Sequence, residues 1–416
     1  MVNRRQFLKT IGAGSCMLAA APYLAWAQAD SSKRFIFVLN RGGWDPLTVF
    51  APMYGKATID MEAGSLASSA GNIPFVDHAT RPAVRGFFQA NHQQMLIMQG
   101  ISVRSLSHDI CTQMMLTGST SDSDSDWATT VADAQANDFT LPHVVLGGPV
   151  FAGTRGAVVA GAGLNNQLDQ LLHGSMATYM DQQPTAVPPP SMEALLDALM
   201  EKRAAQWKAQ HSGDAKAQTA ADFEESLLRA NDLKAQRNTI SFSTGQRLQD
   251  QASAAIDILS NDIARCVTLS GNGSWDTHQR NQDQGPLFES LFTDLGMLMN
   301  RLQSTNSTKG NPLADDTIVV VISEMGRTPK LNGTGGRDHW PYTSAMLLGG
   351  GFTGDRVIGA YDDLYYGKGI HPATGELDPK SPILTAESFG ATLLALADID
   401  PADILPTATA ITGILV

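Results

Sequence analysis

Short apolar runs without polar alternation constrain the fold of this chain more than any other feature. They are rich in β-branched and aromatic residues, each stops at or near Gly, Asn or Ser, and they comprise residues 34–40, 94–99, 144–146, 267–269, 317–322 and 345–348. A strand that is apolar on both faces fits a parallel sheet that helices cover on each side. The pattern therefore predicts buried strands in such a sheet.

Helical patterns lie between these runs, at residues 81–91, 191–210, 220–234, 245–264, 287–302 and 386–397. Strands that alternate with helices predict an α/β fold, here a largely parallel sheet flanked by helices. From the prolines that begin at Pro184 to about residue 265 the chain is almost wholly helical in pattern. We therefore expect one α/β domain at 28–416, interrupted by a mainly helical insertion at about 184–265.

The first 27 residues have the pattern of an export signal. Arg4 and Arg5 precede a short run rich in Gly and Ala, and Ala25 and Ala27 form a small-x-small processing site. This pattern predicts a twin-arginine signal peptide at 1–27, export by the twin-arginine machinery, and a periplasmic or secreted location. An ordinary basic N-terminus or a membrane anchor is the alternative, although the apolar run is short for a membrane span.

The charge balance limits the partners of the chain. It has 29 basic and 41 acidic residues, a net charge of −12, and loss of three basic residues with the signal gives 26 − 41 = −15. This argues against nucleic acid as a partner, because binding to phosphates needs a basic surface. No other stretch is long and apolar enough for stable membrane insertion. Cys111 and Cys266 remain after processing and could pair or stay as buried free thiols.

Polar patches follow the predicted strands, where open α/β sheets place their binding sites. Asp45 follows the first strand and two glycines. It fits a metal ligand or the cap of the next turn. His108 stands with Ser105 and Ser107 before a helix-like stretch. This patch fits either an anion site at a helix N-terminus or an N-cap with a polar neighbour.

Three later patches combine carboxylates with imidazoles. Asp276 and His278 stand two apart on a loop, Glu324 ends the most apolar strand, and Asp338 adjoins His339 beside glycines. Zinc and similar ions take this mixture of oxygen and nitrogen ligands, although surface turns and a mobile loop are the alternatives. Clustered carboxylates repel one another unless a cation neutralises them. The patches together predict a site for divalent zinc, calcium or manganese.

Arg327 follows the glutamate at the end of the same strand. A guanidinium there could hold a substrate anion bidentately or balance the carboxylates. His108 could be a further metal ligand or an acid/base group. We take His108 and Arg327 as the candidate catalytic residues, and as candidate metal ligands Asp45, Asp276, His278, Glu324, Asp338 and His339.

The order of these motifs resembles the bacterial family known as domain of unknown function 1501. The motifs are Arg-Gly-Gly-x-Asp, Ser-His, Trp-Asp-Thr-His, Ser-Glu-x-Gly-Arg-Thr-Pro and Asp-His-Trp, and the resemblance covers essentially the whole mature chain. The family in turn looks like a distant branch of the alkaline phosphatase and sulfatase superfamily. This resemblance implies an alkaline-phosphatase-like parallel α/β sheet with one or two metal ions that act on phosphate or sulfate esters.

The resemblance also implies roles for single residues. Asp45 resembles the metal-binding aspartate after the first strand, Asp276 and His278 resemble one Asp–His ligand pair, and His339 resembles a late metal-binding histidine. Glu324 stands where the superfamily has a metal-binding aspartate.

Two positions depart from the superfamily pattern. Met325 stands where a histidine ligand is usual, and His108 stands where the superfamily has its Ser, Thr or modified Cys nucleophile. These departures leave two functions open. One is an exported metal-dependent hydrolase of small or polymeric phosphate or sulfate esters, in which a metal-bound hydroxide could replace the protein nucleophile. The other is a non-catalytic periplasmic binding or assembly protein that kept the fold. A further interpretation, which does not depend on these two positions, is a carbohydrate-associated surface protein whose helical insertion binds a polymer.

Overall fold

The computed structural model describes residues 33–161, 189–235 and 246–416. The predicted signal peptide at 1–27 lies outside the described residues, and so do 184–188 at the start of the predicted insertion.

A central sheet of eight strands organises the chain. In chain order the strands are β1 (Arg34–Leu39), β2 (Leu66–Ala70), β3 (Ile73–Asp77), β4 (Met95–Ser102), β5 (His143–Val145), β6 (Val159–Gly161), β7 (Cys266–Ser270), β8 (Thr317–Ile322), β9 (Gly326–Arg327), β10 (His339–Trp340), β11 (Tyr342–Gly349) and β12 (Arg356–Ile358). Eight of them form the sheet in the order β12-β4-β11-β8-β1-β7-β5-β6. Two small antiparallel ribbons, β2–β3 and β9–β10, lie beside it.

The sheet is largely parallel. β1 pairs in parallel with β7 and β8, β5 with β6 and β7, and β12 with β4. β11 is the exception, because it runs antiparallel to both β4 and β8. The predicted fold class is confirmed in this form, and every predicted strand is present.

Helices cover both faces of the sheet. In the described ranges they are α1 (Pro46–Val49), α2 (Pro82–Asn91), α3 (His108–Thr117), α4 (Trp127–Asp133), α5 (Pro190–Gln210), α6 (Ala217–Ala235), α7 (Leu248–Ser260), α8 (Gln284–Ser304), α9 (Leu313–Asp316) and α10 (Ala386–Leu396). Within these ranges no helix combines the length and apolar character that crossing a bilayer requires.

The first strand illustrates why its apolar run is continuous. Ile36 and Val38 pack into a core with side chains of α2, α7 and α8. Phe35 and Phe37 point to the opposite face and pack with side chains of α3, α4 and α10. All four are at most 2% exposed. Full burial of such a side chain stabilises the fold by about 1.5–3 kcal/mol, so both faces of the strand must be apolar.

The helices of the predicted insertion have two different surroundings. α5 and α6 pack on each other, and Lys234 of α6 contacts Glu193 at 3.0 Å and Asp197 at 2.9 Å on α5. α7 instead packs on β7 and α8, and it buries Leu248, Ile256 and other side chains in the core. Two helices of the predicted insertion, α5 and α6, therefore pack as a pair, whereas α7 belongs to a layer that covers the sheet.

Both cysteines of the predicted mature chain are free and buried. Burial raises the pKa of Cys111 to about 11 and that of Cys266 to about 12. Neither thiol is appreciably ionised at neutral pH.

The sheet brings the predicted polar patches to one edge. Leu39 at the end of β1 lies beside Ser270 at the end of β7 and Ile322 at the end of β8. Ser102 at the end of β4 pairs with Tyr342 at the start of β11. The loops after β1, β4, β7 and β8 therefore meet at the edge where the chain enters β11.

Candidate metal centre

Three side chains at this edge have ligand atoms that all lie within 4.8 Å of one another, His108, Asp276 and His339. His108 is the first residue of α3, Asp276 lies in the loop after β7, and His339 lies in β10. The Asp276 carboxylate lies between the two rings, with Oδ2 at 3.5 Å from His108 Nε2 and Oδ1 at 3.5 Å from His339 Nε2. Such a group could hold a metal ion.

His278 adds a further nitrogen donor. Its Nε2 atom lies 3.2 Å from Asp276 Oδ1 and 2.9 Å from His339 Nε2. In a tetrahedral zinc site with bonds of about 2.0–2.1 Å, neighbouring ligand atoms are about 3.3–3.4 Å apart. The distances from the Asp276 oxygens to the three Nε2 atoms, 3.2 to 3.5 Å, are close to that value, whereas the 2.9 Å between His278 Nε2 and His339 Nε2 is shorter. The donor atoms could therefore surround a small divalent ion.

The other nitrogen of each ring is held in place by an oxygen. The contacts of Nδ1 are Glu324 Oε1 at 2.8 Å from His108, Asp338 Oδ1 at 2.9 Å from His278, and the carbonyl oxygen of Leu106 at 2.6 Å from His339. A carbonyl and an ionised carboxylate only accept hydrogen bonds, so Nδ1 donates in each case. A neutral ring then presents a lone pair at Nε2, which is the arrangement typical of metal-binding histidines.

A second feature of the cluster is the direct contact between the rings of His278 and His339. His278 Nε2 and His339 Nε2 face each other at 2.9 Å. Because Nδ1 carries the proton in both neutral rings, two lone pairs would meet at this point and repel. One proton or one cation must therefore lie between the two nitrogens.

Glu324, a predicted metal ligand, lies behind His108. It is fully buried, and Oε1 also accepts a hydrogen bond from the backbone N–H of Gly42 at 2.8 Å. Oε2 accepts a hydrogen bond from the Ser323 hydroxyl at 3.2 Å. The hydrogen bond to Glu324 raises the pKa of His108, against the opposing effect of partial burial. Glu324 is therefore positioned to orient the ring rather than to bind the ion.

Asp338, another predicted ligand, has the same relation to His278. It lies in an exposed loop, and its hydrogen bond to His278 lowers the pKa of the carboxyl below the usual value. Because its acceptor oxygen is directed at Nδ1, Asp338 orients the ring from outside the cluster.

Arg327 is fully buried, although the sequence suggested that it could hold a substrate anion. Nε donates to the carbonyl of Gly43 at 2.8 Å, and Nη1 donates to the carbonyl of Arg337 at 3.1 Å. Nη2 donates to Asp276 Oδ1 at 2.6 Å and to the carbonyl of Gly42. The guanidinium thus serves the alternative role, because it balances and positions Asp276.

The pKa of Asp276 is consequently low. Its partial burial acts to raise the pKa, but the hydrogen bond and the charge of Arg327 outweigh burial and lower it. His108 and His278 act in the same direction through their charges. The carboxylate is therefore ionised at neutral pH and available to a cation.

Asp45 takes the capping role rather than a place among the ligands. It is 1% exposed and caps α1, since Oδ1 accepts from the backbone N–H of Leu47 at 3.0 Å. Oδ2 lies 3.0 Å from Arg337 Nε and accepts from Asn281 Nδ2 at 2.8 Å. Its charge is balanced by Arg337, so it stabilises the loop that carries the glycine pair.

Gln284, at the start of α8, joins the loops around the site and was not identified from the sequence. It is fully buried, and its side-chain oxygen accepts from the backbone N–H of Asp45 at 2.6 Å. Its amide nitrogen donates to the carbonyl of Trp275 and to the Thr277 hydroxyl, both at 2.9 Å. No local pattern marks this glutamine, because its partners come from distant segments.

Comparison with known proteins identifies a family. None of the curated proteins matches the chain. Among solved structures, the lipoteichoic acid synthase LtaP from Listeria monocytogenes aligns with a TM-score of 0.41 and 11% sequence identity, over 94% of this chain and 78% of that chain. The family described as "Protein of unknown function (DUF1501)" matches residues 32–406, and the chain belongs to this family.

Proposed function

We propose that this protein is an exported, metal-dependent hydrolase of phosphate or sulfate esters. The observation that carries the proposal is the meeting of His278 Nε2 and His339 Nε2 at 2.9 Å beside the Asp276 carboxylate. The ligands in this proposal are His108, Asp276, His278 and His339. Three imidazoles and one carboxylate favour zinc over calcium, which prefers oxygen ligands.

The remaining predicted residues support these ligands. Glu324 and Asp338 fix the proton of two rings on Nδ1, and Arg327 keeps Asp276 ionised. Such partners usually contribute a factor of ten to a hundred to metal affinity or activity. The chemistry that a bound divalent ion supplies is polarisation of the ester and activation of water.

A protein nucleophile is not needed for this reaction. The Cys111 thiol is buried with a pKa of about 11, and is therefore protonated at neutral pH. Ser107 precedes α3 and its side chain makes no capping hydrogen bond. His108 directs Nδ1 at Glu324 and Nε2 toward Asp276, so its ring is suited to metal binding. We therefore propose water as the nucleophile, with the hydroxyls of Ser105 and Ser107 as the alternatives.

The exported location rests on the sequence pattern of residues 1–27. The arginine pair, the short apolar run and the small-x-small site support transport by the twin-arginine machinery. In this proposal the protein reaches the periplasm or the medium already folded.

A non-catalytic binding or assembly protein is the second candidate. It is favoured by His108, which occupies the position where the superfamily resemblance implies a nucleophile. Such a protein would bind a metal ion and an anion without turnover.

Metal analysis and turnover of the purified mature protein separate the two candidates. We expect a stoichiometric divalent ion, and hydrolysis of an aryl phosphate or aryl sulfate in the presence of zinc or manganese. Asp276→Asn and His339→Ala should each reduce metal content and turnover together. A metal-bound protein without turnover would favour the second candidate, and a protein without bound metal would overturn the proposal.

A further inference from the structure

We propose that Arg41 binds the tetrahedral oxyanion of the substrate at the mouth of the metal centre. This inference rests on the proposed function, because it identifies the group that recognises the phosphate or sulfate of the ester. Arg41 lies two residues after the end of β1 at Leu39, and its side chain is about half exposed, at 49%.

An anion that approaches the cluster needs a cationic partner other than Arg327. That guanidinium is fully buried, and its nitrogens donate to protein carbonyls and to Asp276. It cannot turn to a ligand without leaving those acceptors unpaired in the interior, which is costly. The cation that meets the substrate must therefore lie at the surface of the site.

The backbone around Arg41 places it beside the metal centre. Its carbonyl oxygen accepts from the backbone N–H of Trp275 at 3.1 Å, one residue before Asp276. The next residue, Gly42, donates its N–H to Glu324, which orients His108. Arg41 thus lies in a loop that is hydrogen-bonded to the segment before one proposed ligand, Asp276, and to the carboxylate that orients another, His108.

The side chain of Arg41 crosses toward the first turn of α3. Its Nη2 atom lies 3.7 Å from Oδ1 of Asp109, the residue that follows His108. The Arg41 side chain therefore extends from a loop that is hydrogen-bonded beside Asp276 toward the first turn of the helix that begins at His108. Ser107 leaves the helix uncapped by its side chain, so the N-terminus of α3 adds favourable dipole charge for an anion.

The contact with Asp109 is weak enough for a ligand to replace. The two groups are separated by more than a hydrogen-bond length, and the Asp109 side chain is 94% exposed. Exposed ion pairs of this kind contribute little, because water competes for both charges. A tetrahedral oxyanion can instead accept two parallel hydrogen bonds from the guanidinium. The ligand class is therefore a terminal phosphate or sulfate group.

The test measures binding of inorganic phosphate to the zinc-loaded mature protein by calorimetry, with inorganic sulfate as a second probe. Arg41→Gln should raise the Kd for phosphate at least tenfold, and Arg41→Lys should retain part of the affinity. Asp109→Asn should lower the Kd, because it removes a competing carboxylate. Arg301→Gln is the matched control, since Arg301 forms a similar exposed pair with Asp257 at 3.8 Å and should bind phosphate as the wild type does.

Metal content and thermal unfolding of each variant distinguish recognition from a structural role. We expect Arg41→Gln to keep the metal content and the Tm of the wild type while it loses affinity for phosphate. Unchanged phosphate affinity in Arg41→Gln, or a wild type that does not bind phosphate, would overturn the inference. If Arg41→Gln does not fold, an unchanged Kd in both Arg41→Lys and Asp109→Asn would overturn it. Arg41-dependent binding without ester turnover would leave the inference standing and refute only the hydrolase.

Discussion

Replacing Glu324 by Gln tests whether His108 is a metal ligand. Oε1 of Glu324 accepts from both His108 Nδ1 and the Gly42 N–H at 2.8 Å, and Oε2 accepts from Ser323. A glutamine can keep its oxygen toward the first two donors and direct its amide at the Ser323 hydroxyl oxygen. The substitution therefore removes the negative charge and retains the packing and the hydrogen bonds.

The expected loss of metal affinity follows from the role of the charge. An oriented carboxylate behind a ligating histidine makes Nε2 a stronger donor, and loss of such a partner usually weakens metal binding ten- to a hundredfold. Since the glutamine keeps the ring in place, we expect the lower limit, about tenfold or about 1.4 kcal/mol. Glu324→Ala also removes the orienting hydrogen bond, so it should approach a hundredfold.

Competition with a chromophoric chelator measures the metal Kd, and NMR titration of the metal-free protein measures the pKa of His108. That pKa is raised first of all by the hydrogen bond to Glu324 and further by its charge, so it should fall in Glu324→Gln. Asp355→Asn is the matched control, because Asp355 accepts from His92 Nδ1 at 3.0 Å and from the Asn72 N–H at 2.8 Å. A lowered His108 pKa with unchanged metal affinity would refute the assignment of His108 as a ligand.

Three further predictions concern the glycine loop, the metal and a buried histidine. Gly42→Ala should lower the metal content of the protein. Residue 42 has a φ of +115°, and the Cβ of an alanine there would lie 2.6 Å from the backbone nitrogen of Asp276. Metal analysis checks this, with Gly55→Ala as the control because a Cβ at residue 55 meets nothing within 4 Å. Chelation should lower the Tm of the wild type, since an ion bound only by the native state stabilises it; equal Tm values would contradict the metal site. Burial lowers the pKa of His143, so the unfolded chain binds the extra proton and stability should fall as pH drops below about 6.5. Urea unfolding between pH 5 and 7 should show a flatter pH dependence in His143→Gln, and an unchanged slope would count against this cause.

The positions of the sheet strands could be predicted from the sequence, because a buried strand is apolar at successive positions. Residues of β1 and β8 are apolar at every position, since helices cover both faces. The direction of a strand, parallel or antiparallel to its neighbours, cannot be predicted from this apolar pattern. β11 is as buried as its neighbours, yet it runs antiparallel to them after the β9–β10 ribbon returns the chain to the edge.

The location of the site was also predictable, whereas the role of each side chain was not. Strand ends that share an edge brought His108, Asp276 and His339 together. Whether a carboxylate faces an ion or an imidazole depends on partners that are far apart in sequence. Glu324 meets His108 across 216 positions, and Asp45 meets Asn281 across 236. No spacing rule within one motif contains that information.

The structure also changes the physical reason for expecting a metal ion. Clustered carboxylates repel one another when they are unpaired. Here each carboxylate has its own positive or proton-donating partner: Arg337 for Asp45, Arg327 for Asp276, His108 for Glu324 and His278 for Asp338. These carboxylates can coexist without an added ion, so the chelated protein should remain folded. The group that needs a positive charge is the pair of imidazoles of His278 and His339, and either a metal ion or a proton can supply that charge. A metal ion and a proton therefore compete for the two Nε2 atoms, so metal binding should release protons and should weaken as the pH falls. Chelation of the metal should cause proton uptake, which can be measured in weakly buffered solution.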